Sequence, residues 1–240
     1  SIDGVKKAKQ ELIESLPDSG VAILNADDSR VVAMRDATKA KILTYGTAAN
    51  ADVKILSSAI NDQGCVTAKV ASPWGEVELQ MQTAGMHMAH NALAALCVAG
   101  YLQIDLQTAA RAISGARISS SRMQIRKLKT GATVIDDSYN ANPASMRAAL
   151  ETLAKLPAKK KFAFCGLMAE LADPAKEHLA IRAIAEDLNI ELIAVNTDLY
   201  QTQAVSFDEA KSQLAKLGAS DAALVKGSKV TGLVRLCDGL

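Results

Sequence analysis

The stretch "VIDDSYNANPASMRAAL", residues 134–150, decides the fold. It opens on Val134 and Ile135, apolar and β-branched, as a buried strand does. A tight polar segment follows, carrying Asp136, Asp137, Tyr139, Asn140 and Asn142. From Pro143 the pattern turns helical. Proline suits the first helical position, where a backbone N–H has no intrahelical partner, and Asn142 before it is the natural N-cap. Strand, polar turn and helix make the repeating unit of a parallel α/β sheet. In such sheets ligands bind at the carboxyl ends of the strands. The polar turn therefore marks a candidate binding ledge. Asn142 has a structural role to play there as a cap, whereas Asp137 and Tyr139 have less of one.

The same alternation continues downstream. A helix over 143–156 leads to the strand "KFAFCG", a helix over 175–188 to "ELIAVN", and a helix over 207–217 to "AALVKG". Just upstream, "MQIRKLKTGATVIDD" reads as a hairpin turning at 129–131. These elements predict a doubly wound, parallel domain whose strands end in polar or glycine-bearing tips. The small, polar "GARISSSR" places a domain boundary near residue 117, giving units 1–117 and 118–240.

Within the first unit, an amphipathic helix runs to about Glu14 with Val5, Ala8, Leu12 and Leu16 on one face. Pro17 and Gly20 end it. "VAILNADD" is a buried strand with a polar tip, and "SRVVAMRDAT" a helix with Ser29 as its N-cap. "KILTYG" and "ADVKILSSAI" read as strands. Alternation on both sides of "SPWG" signals a hairpin. "HMAHNALAALCVAGYL" is a strongly apolar helix, and "DLQTAARAIS" a second one capped by Asp105.

Composition narrows the function. Of 240 residues, 49% are hydrophobic but only 3% aromatic, so the core is aliphatic, as in helix-covered parallel sheets. The net charge of +1 implies no broad basic face, which argues against nucleic acid as a partner. The basic run "KLPAKKKF" is short and reads as a solvated approach to a strand. No apolar run approaches the ~20 residues of a membrane span, and none reads as a signal peptide. The cysteines at 65, 97, 165 and 237 show no C-x-x-C or metal-ligand spacing. Reduced thiols in a cytoplasmic protein fit this pattern.

Further motifs gather at the strand ends. "AGMHMAHNALAA" places His87, His90 and Asn91 in the first turn of a helix. The two histidines could share a metal ion, but a third ligand is missing nearby, and a polar helix start is the plainer reading. "CGLMAELADPAKEH" carries Glu170 and His178 beyond one strand, and "LVKGSK" carries Lys226 at the end of another. Nothing in the chain supplies the G-x-x-x-x-G-K-[ST] of a phosphate loop.

Taken together, "LNADD", "G-x-H-x-x-x-N-A-L-A-A", "DDSYNANPASMRAAL", "GLMAEL…H" and "VKGSK" resemble the ATP-dependent Mur ligases of peptidoglycan synthesis. The resemblance runs over essentially the whole chain. The Tyr-Asn-Ala-Asn-Pro turn is similar to that of the ligases adding D-alanyl-D-alanine. It implies an α/β protein: part of a central ATPase domain, then a doubly wound, Rossmann-like C-terminal domain. The preceding UDP-binding domain and the phosphate loop would lie outside this sequence, which begins without Met and reads as a fragment, inactive alone. In such ligases ATP phosphorylates the carboxylate of a UDP-N-acetylmuramoyl-tripeptide, and the amine of D-Ala-D-Ala attacks the acyl phosphate. The resemblance implies a cytoplasmic monomer using ATP and Mg²⁺. It assigns Lys9 as a carbamylated magnesium ligand, Asn91 to adenine, Arg122 to ATP and Asp137 to the ribose. Tyr139, Asn140, Asn142, Glu170, His178 and Lys226 would face the dipeptide. Met88, Ser121 and Ala172 stand where the family usually has Asn, Gly and Gly.

Two alternatives stay open. One is a related amide-forming ligase, such as a folylpolyglutamate synthetase or another Mur ligase, against which the Tyr-Asn-Ala-Asn-Pro turn argues. The other is a non-catalytic nucleotide-binding module without a phosphate loop.

Overall fold

The computed structural model describes residues 2–61, 65–116 and 121–238. It divides into two compact units. The first comprises residues up to Ala59 with Val66–Met81 and His87–Ala116, and the second mainly residues from Ser121 onward, joined by Gln82–Met86. The boundary expected near residue 117 falls outside the described residues.

In the first unit, helix α1 (Ile2–Glu14) precedes strand β1 (Val21–Asn25) and the one-turn helix α2 (Ser29–Val32). A 3-10 segment, Ala33–Ala37, follows, then β2 (Lys41–Gly46), β3 (Val53–Ile60), β4 (Val66–Ser72) and β5 (Gly75–Gln80). These strands form one sheet in the order β1-β2-β3-β4-β5. β1, β2 and β3 run parallel, and β4 and β5 form the antiparallel hairpin that the "SPWG" signal predicts. Helix α3 (Met86–Tyr101) buries Met88, Ala89, Ala92, Leu93, Leu96 and Cys97. Helix α4 (Leu106–Ser114) begins, as expected, on the Asp105 carboxylate, which accepts from Thr108 N.

Two expectations are corrected here. The cap of α2 is Asp28, not Ser29: the Asp28 side chain accepts from Arg30 N, one residue earlier than the pattern placed it. Nor does α1 bury the apolar face its periodicity predicts. None of its residues is buried, and Val5 and Leu12 remain 56% and 67% exposed. Hydrophobic spacing reports a face that can pack, and says nothing of what lies against it.

The second unit is built on β6 (Gln124–Lys127), β7 (Thr133–Asp136), β8 (Lys160–Cys165), β9 (Glu191–Ala194) and β10 (Asp221–Lys226), in the sheet order β6-β7-β10-β8-β9. Only β6 runs antiparallel, as the hairpin reading requires. Helices α5 (Pro143–Lys155), α6 (Pro174–Asp187) and α7 (Phe207–Ala215) connect the parallel strands. Because side chains alternate along a strand, each central strand feeds two cores. Val134, Phe164, Ala223 and Val225 join Ala210 and Leu214 of α7 in one cluster with Leu233 and Leu236. Ile135, Ala163 and Leu224 are equally buried, and so are Met146, Leu150 and Leu153 of α5. A buried leucine such as Leu150 stabilises by several kcal/mol, since truncation to alanine costs about 2–5. The chain leaves β7 for β8 and returns to insert β10 between them. The strand order therefore reverses there, and at such a switch point the strand tips leave a crevice.

Candidate functional site

The tips of β7, β10 and β8 carry the chemistry of the second unit. Lys226 ends β10 and is only 2% exposed. A buried ammonium must be paired. It forms an ion pair with Asp137 Oδ2, just beyond β7, and donates to the Asn140 carbonyl at 3.0 Å. The other Asp137 oxygen accepts from Met123 N at 3.1 Å, and Asp137 N donates to Val225 O at 3.0 Å. A carboxylate has about four acceptor positions, so Asp137 retains capacity for a ligand hydroxyl.

Asp136, fully buried, is a separate anchor. It pairs with Arg126 at 3.0 Å and accepts from the hydroxyls of Ser121 (3.1 Å) and Ser138 (2.6 Å). Ser121 sits at φ 66° and Met123 at φ 51°, both left-handed. The region that glycine adopts freely thus carries a serine, whose hydroxyl is tied to Asp136. Arg122 lies between them, exposed, and its guanidinium stacks on the Tyr139 ring at 4.1 Å.

Tyr139, Asn140 and Asn142 are exposed along the turn. Asn142 is the α5 cap: its Oδ1 accepts from Ser145 N at 2.9 Å, and Ser145 Oγ accepts from Asn142 N at 3.1 Å. The Asn140 side chain accepts from Ala141 N at 2.9 Å.

The β8 tip continues into a loop held from beneath. His178, on α6, is 0% exposed. Its Nε2 accepts from Met168 N at 2.9 Å, and its Nδ1 donates to Pro174 O at 2.6 Å. Burial pushes this imidazole below its usual value, and the Pro174 carbonyl only partly opposes that. Tyr200 packs edge-on to it at 4.8 Å and donates its OH to Gly166 O at 2.9 Å. Glu170 projects from the same loop, exposed and at φ 61°. A left-handed non-glycine residue costs about 1–2 kcal/mol and is held there by its surroundings.

Of the six residues expected to face a dipeptide, Tyr139, Asn140, Asn142 and Glu170 are exposed, whereas His178 and Lys226 are buried with polar atoms engaged. For these two the structure shows inward placement, with their polar atoms on Met168 N, Pro174 O, Asp137 and Asn140 O. A sequence marks them as polar residues at strand ends but does not show which way they point. Ser228 was missed altogether. It accepts from Ala169 N at 2.8 Å and donates to Ala141 O at 3.3 Å, tying the β8 and β7 loops together. Its position after a strand-end glycine in "VKGSK" was the available signal.

The first unit has its own polar tip. Asp27, beyond β1, accepts from Thr47 N (2.8 Å) and Ala48 N (2.9 Å) and pairs with His90 of α3 at 3.1 Å. Burial pushes its carboxyl up, but these amides, the Thr47 hydroxyl and His90 together hold it below the usual value. Gly46 allows the approach: a Cβ there would meet the Asp27 carboxylate at 2.7 Å, and its φ is +153°. Asn91, one residue on, is exposed, with its amide 3.8 Å from the Met88 sulfur. Lys9 is exposed on α1, beside a groove of about 260 Å³ that Asp28 and Arg30 also line. No group of three His, Cys, Asp or Glu side chains suited to a metal occurs among the described residues. No described helix is long and apolar enough to cross a membrane.

Comparison with known proteins accounts for both units. Residues 1–99 match the Mur ligase middle domain, and residues 121–229 match the glutamate ligase domain of the Mur ligases. The chain belongs to the Mur ligase family. It is 33% identical over 198 residues to the UDP-N-acetylmuramoyl-tripeptide–D-alanyl-D-alanine ligase of Mycobacterium tuberculosis, covering 80% of this chain and 39% of that protein. The Mycobacterium leprae enzyme of the same name is 30% identical over 285 residues, covering 100% of this chain and 55% of the relative. The crystal structure of MurF from Acinetobacter baumannii superimposes with a TM-score of 0.84 at 28% identity, over 98% of this chain and 55% of that one. The chain thus spans roughly half the length, or less, of the relatives it matches.

Proposed function

We propose that this sequence is the ATP-binding and acceptor-binding part of a ligase that joins D-alanyl-D-alanine to UDP-N-acetylmuramoyl-tripeptide. Residues 1–117 are the later part of the ATP-binding middle domain, and 118–240 the C-terminal domain. The observation that carries this reading is the exposed Tyr139–Asn142 turn at the switch point of the second sheet. D-Ala-D-Ala has an ammonium, an amide and a carboxylate, but its two methyl groups bury little apolar area. Directed hydrogen bonds must recognise it, and a tyrosine hydroxyl and asparagine amides supply donors and acceptors. The N-terminus of α5 favours its carboxylate.

In this reading Arg122 neutralises phosphate charge, Asp137 takes the ribose hydroxyls and Asn91 reads adenine. Glu170 contacts the dipeptide ammonium. His178 and Lys226 support the loops from within. ATP passes its γ-phosphoryl group to the tripeptide carboxylate and leaves as ADP; the dipeptide amine attacks the acyl carbon of the resulting acyl phosphate, gives up a proton, and phosphate leaves as the amide forms. Positioning and charge neutralisation account for the catalysis. Magnesium commonly binds through one or two carboxylates plus substrate phosphates. Lys9, exposed to dissolved CO₂, would supply such a carboxylate as its carbamate. The nucleotide-linked substrate goes with a cytoplasmic monomer.

The test is phosphate release in a polypeptide carrying this sequence together with a phosphate loop. It should require the UDP-tripeptide and D-Ala-D-Ala jointly. Turnover with a single amino acid in place of the dipeptide overturns the reading. The 240-residue chain by itself should be silent; release at ~1 s⁻¹, the low end for phosphoryl-transfer enzymes, would contradict the need for that loop.

A further inference from the structure

Lys226 occupies an unusual place. It is the last residue of the central strand, in register with Cys165 of β8 on one side, while Val225 before it pairs with Asp136 of β7 on the other. Its carbonyl accepts from Gly166 N at 2.9 Å, so its backbone belongs to the β8 side. Its side chain reaches the β7 side, to the Asp137 carboxylate and the Asn140 carbonyl. A single buried ammonium thus holds two points of the turn, one at each end of Asp137–Asn140.

We propose that Lys226 is a positioning residue that sets the Asp137–Asn140 turn, so that the carboxylate and the exposed asparagine are presented together. It acts on both ligands without touching either. The assignment builds on the ligase reading above. Three donors on a rigidly buried ammonium suit this task, because two acceptors three positions apart are bound from one centre. The carbonyl contact is informative. A lysine serving only to neutralise Asp137 has no need of Asn140 O, and one serving to bind substrate would point outward.

The test uses a polypeptide carrying this sequence with a phosphate loop. Lys226→Met keeps the length of the side chain and removes its charge. The KM values for ATP and for D-Ala-D-Ala should each rise about tenfold, as expected for loss of a charged hydrogen-bond donor. The KM for UDP-tripeptide should stay unchanged. Backbone amides of residues 138–142 should exchange faster. Removing one member of a buried pair can unfold a domain. The double variant Lys226→Met with Asp137→Asn, which removes both charges, is therefore measured beside Asp137→Asn. Its ATP KM should match that of Asp137→Asn alone, because the lysine acts through the acid, while its amide exchange at 138–142 should be faster. A multiplicative effect on ATP KM overturns the proposal, and so does a raised dipeptide KM with unchanged amide exchange; both mean direct contact with a ligand. If the polypeptide accepts some other amine, the ligase reading fails by itself. Amide exchange and the KM for that amine then still judge the lysine.

Discussion

The guanidinium of Arg122 lies 4.1 Å from the centroid of the Tyr139 ring, and the backbone reinforces the pairing, since Tyr139 N donates to Ser121 O at 3.1 Å. The residue proposed for ATP is thus steadied by one proposed for the dipeptide. An exposed cation–π contact contributes about 0.5–1 kcal/mol. In a polypeptide with a phosphate loop, Tyr139→Ala should raise the ATP KM by roughly twofold to fivefold, that energy expressed as an equilibrium ratio. Tyr139→Phe keeps the ring and should leave it unchanged. An equal effect of both substitutions would show that the hydroxyl, not the ring, matters to the nucleotide.

Asn140 and Asn142, two residues apart, should separate cleanly. Asn142→Ala removes the α5 cap and should lower stability by about 0.5–2 kcal/mol, read by denaturant titration. Asn140→Ala should leave the denaturation midpoint nearly unchanged and raise the KM for D-Ala-D-Ala. If dipeptide kinetics ignore Asn140, the turn is structural, and specificity lies with Glu170.

His178 makes the second unit sensitive to acid. Its folded pKa lies below the ordinary value of 6.5 because burial disfavours the charged ring. The unfolded chain therefore takes up the proton first as pH falls. The stability His178 contributes is fully present above about pH 6.5 and declines below it until the folded ring also protonates, by at most about 1.4 kcal/mol per pH unit. Protonation also removes the Nε2 acceptor from Met168 N. Urea midpoints measured between pH 7.5 and 5 should fall for the natural protein. His178→Gln should flatten that fall; an unaltered slope would assign it to other groups.

Gly100 is required by Trp74. A Cβ on Gly100 would stand 2.3 Å from the indole ring. Gly100→Ala should therefore destabilise by about 1–3 kcal/mol, the usual cost of overpacking, although alanine is the better helix former. In a Trp74→Ala background the same change should be neutral or stabilising. A penalty that persists there would point to the α3 backbone instead.

Much of the fold was legible because the second unit repeats one signal. Each of its helices follows a polar strand tip, and each apolar run has strand length, so β7 to β10 and their direction could be read from residues 134–226. The insertion of β10 between β7 and β8 could not, because periodicity gives a strand's faces but not its neighbours. At the site, Asn142 was readable as a cap because capping is local. Lys226 and His178 are legible as polar residues at strand ends, but their inward placement is not, since inward and outward lysines leave the same letter in a sequence. Ser228 was overlooked because its partners, Ala141 and Ala169, lie far along the chain. The left-handed Ser121 was hidden by its identity, as only a glycine would have announced that backbone.

β10 is the last strand in chain order among the described residues, and it stands at the centre of its sheet. A nascent chain can pair β6 with β7 and β8 with β9, but isolated two-stranded pieces are marginal in water. No strand pairing joins the halves until Asp221–Lys226 has left the ribosome. At about 5–20 residues per second, the facing edges of β7 and β8 wait unpaired for seconds. That interval is when foreign strands can add to them and when a holdase chaperone has most to protect. A stop codon just before β10 would leave two unstable hairpin-sized remnants, and the C-terminal unit would be lost whole.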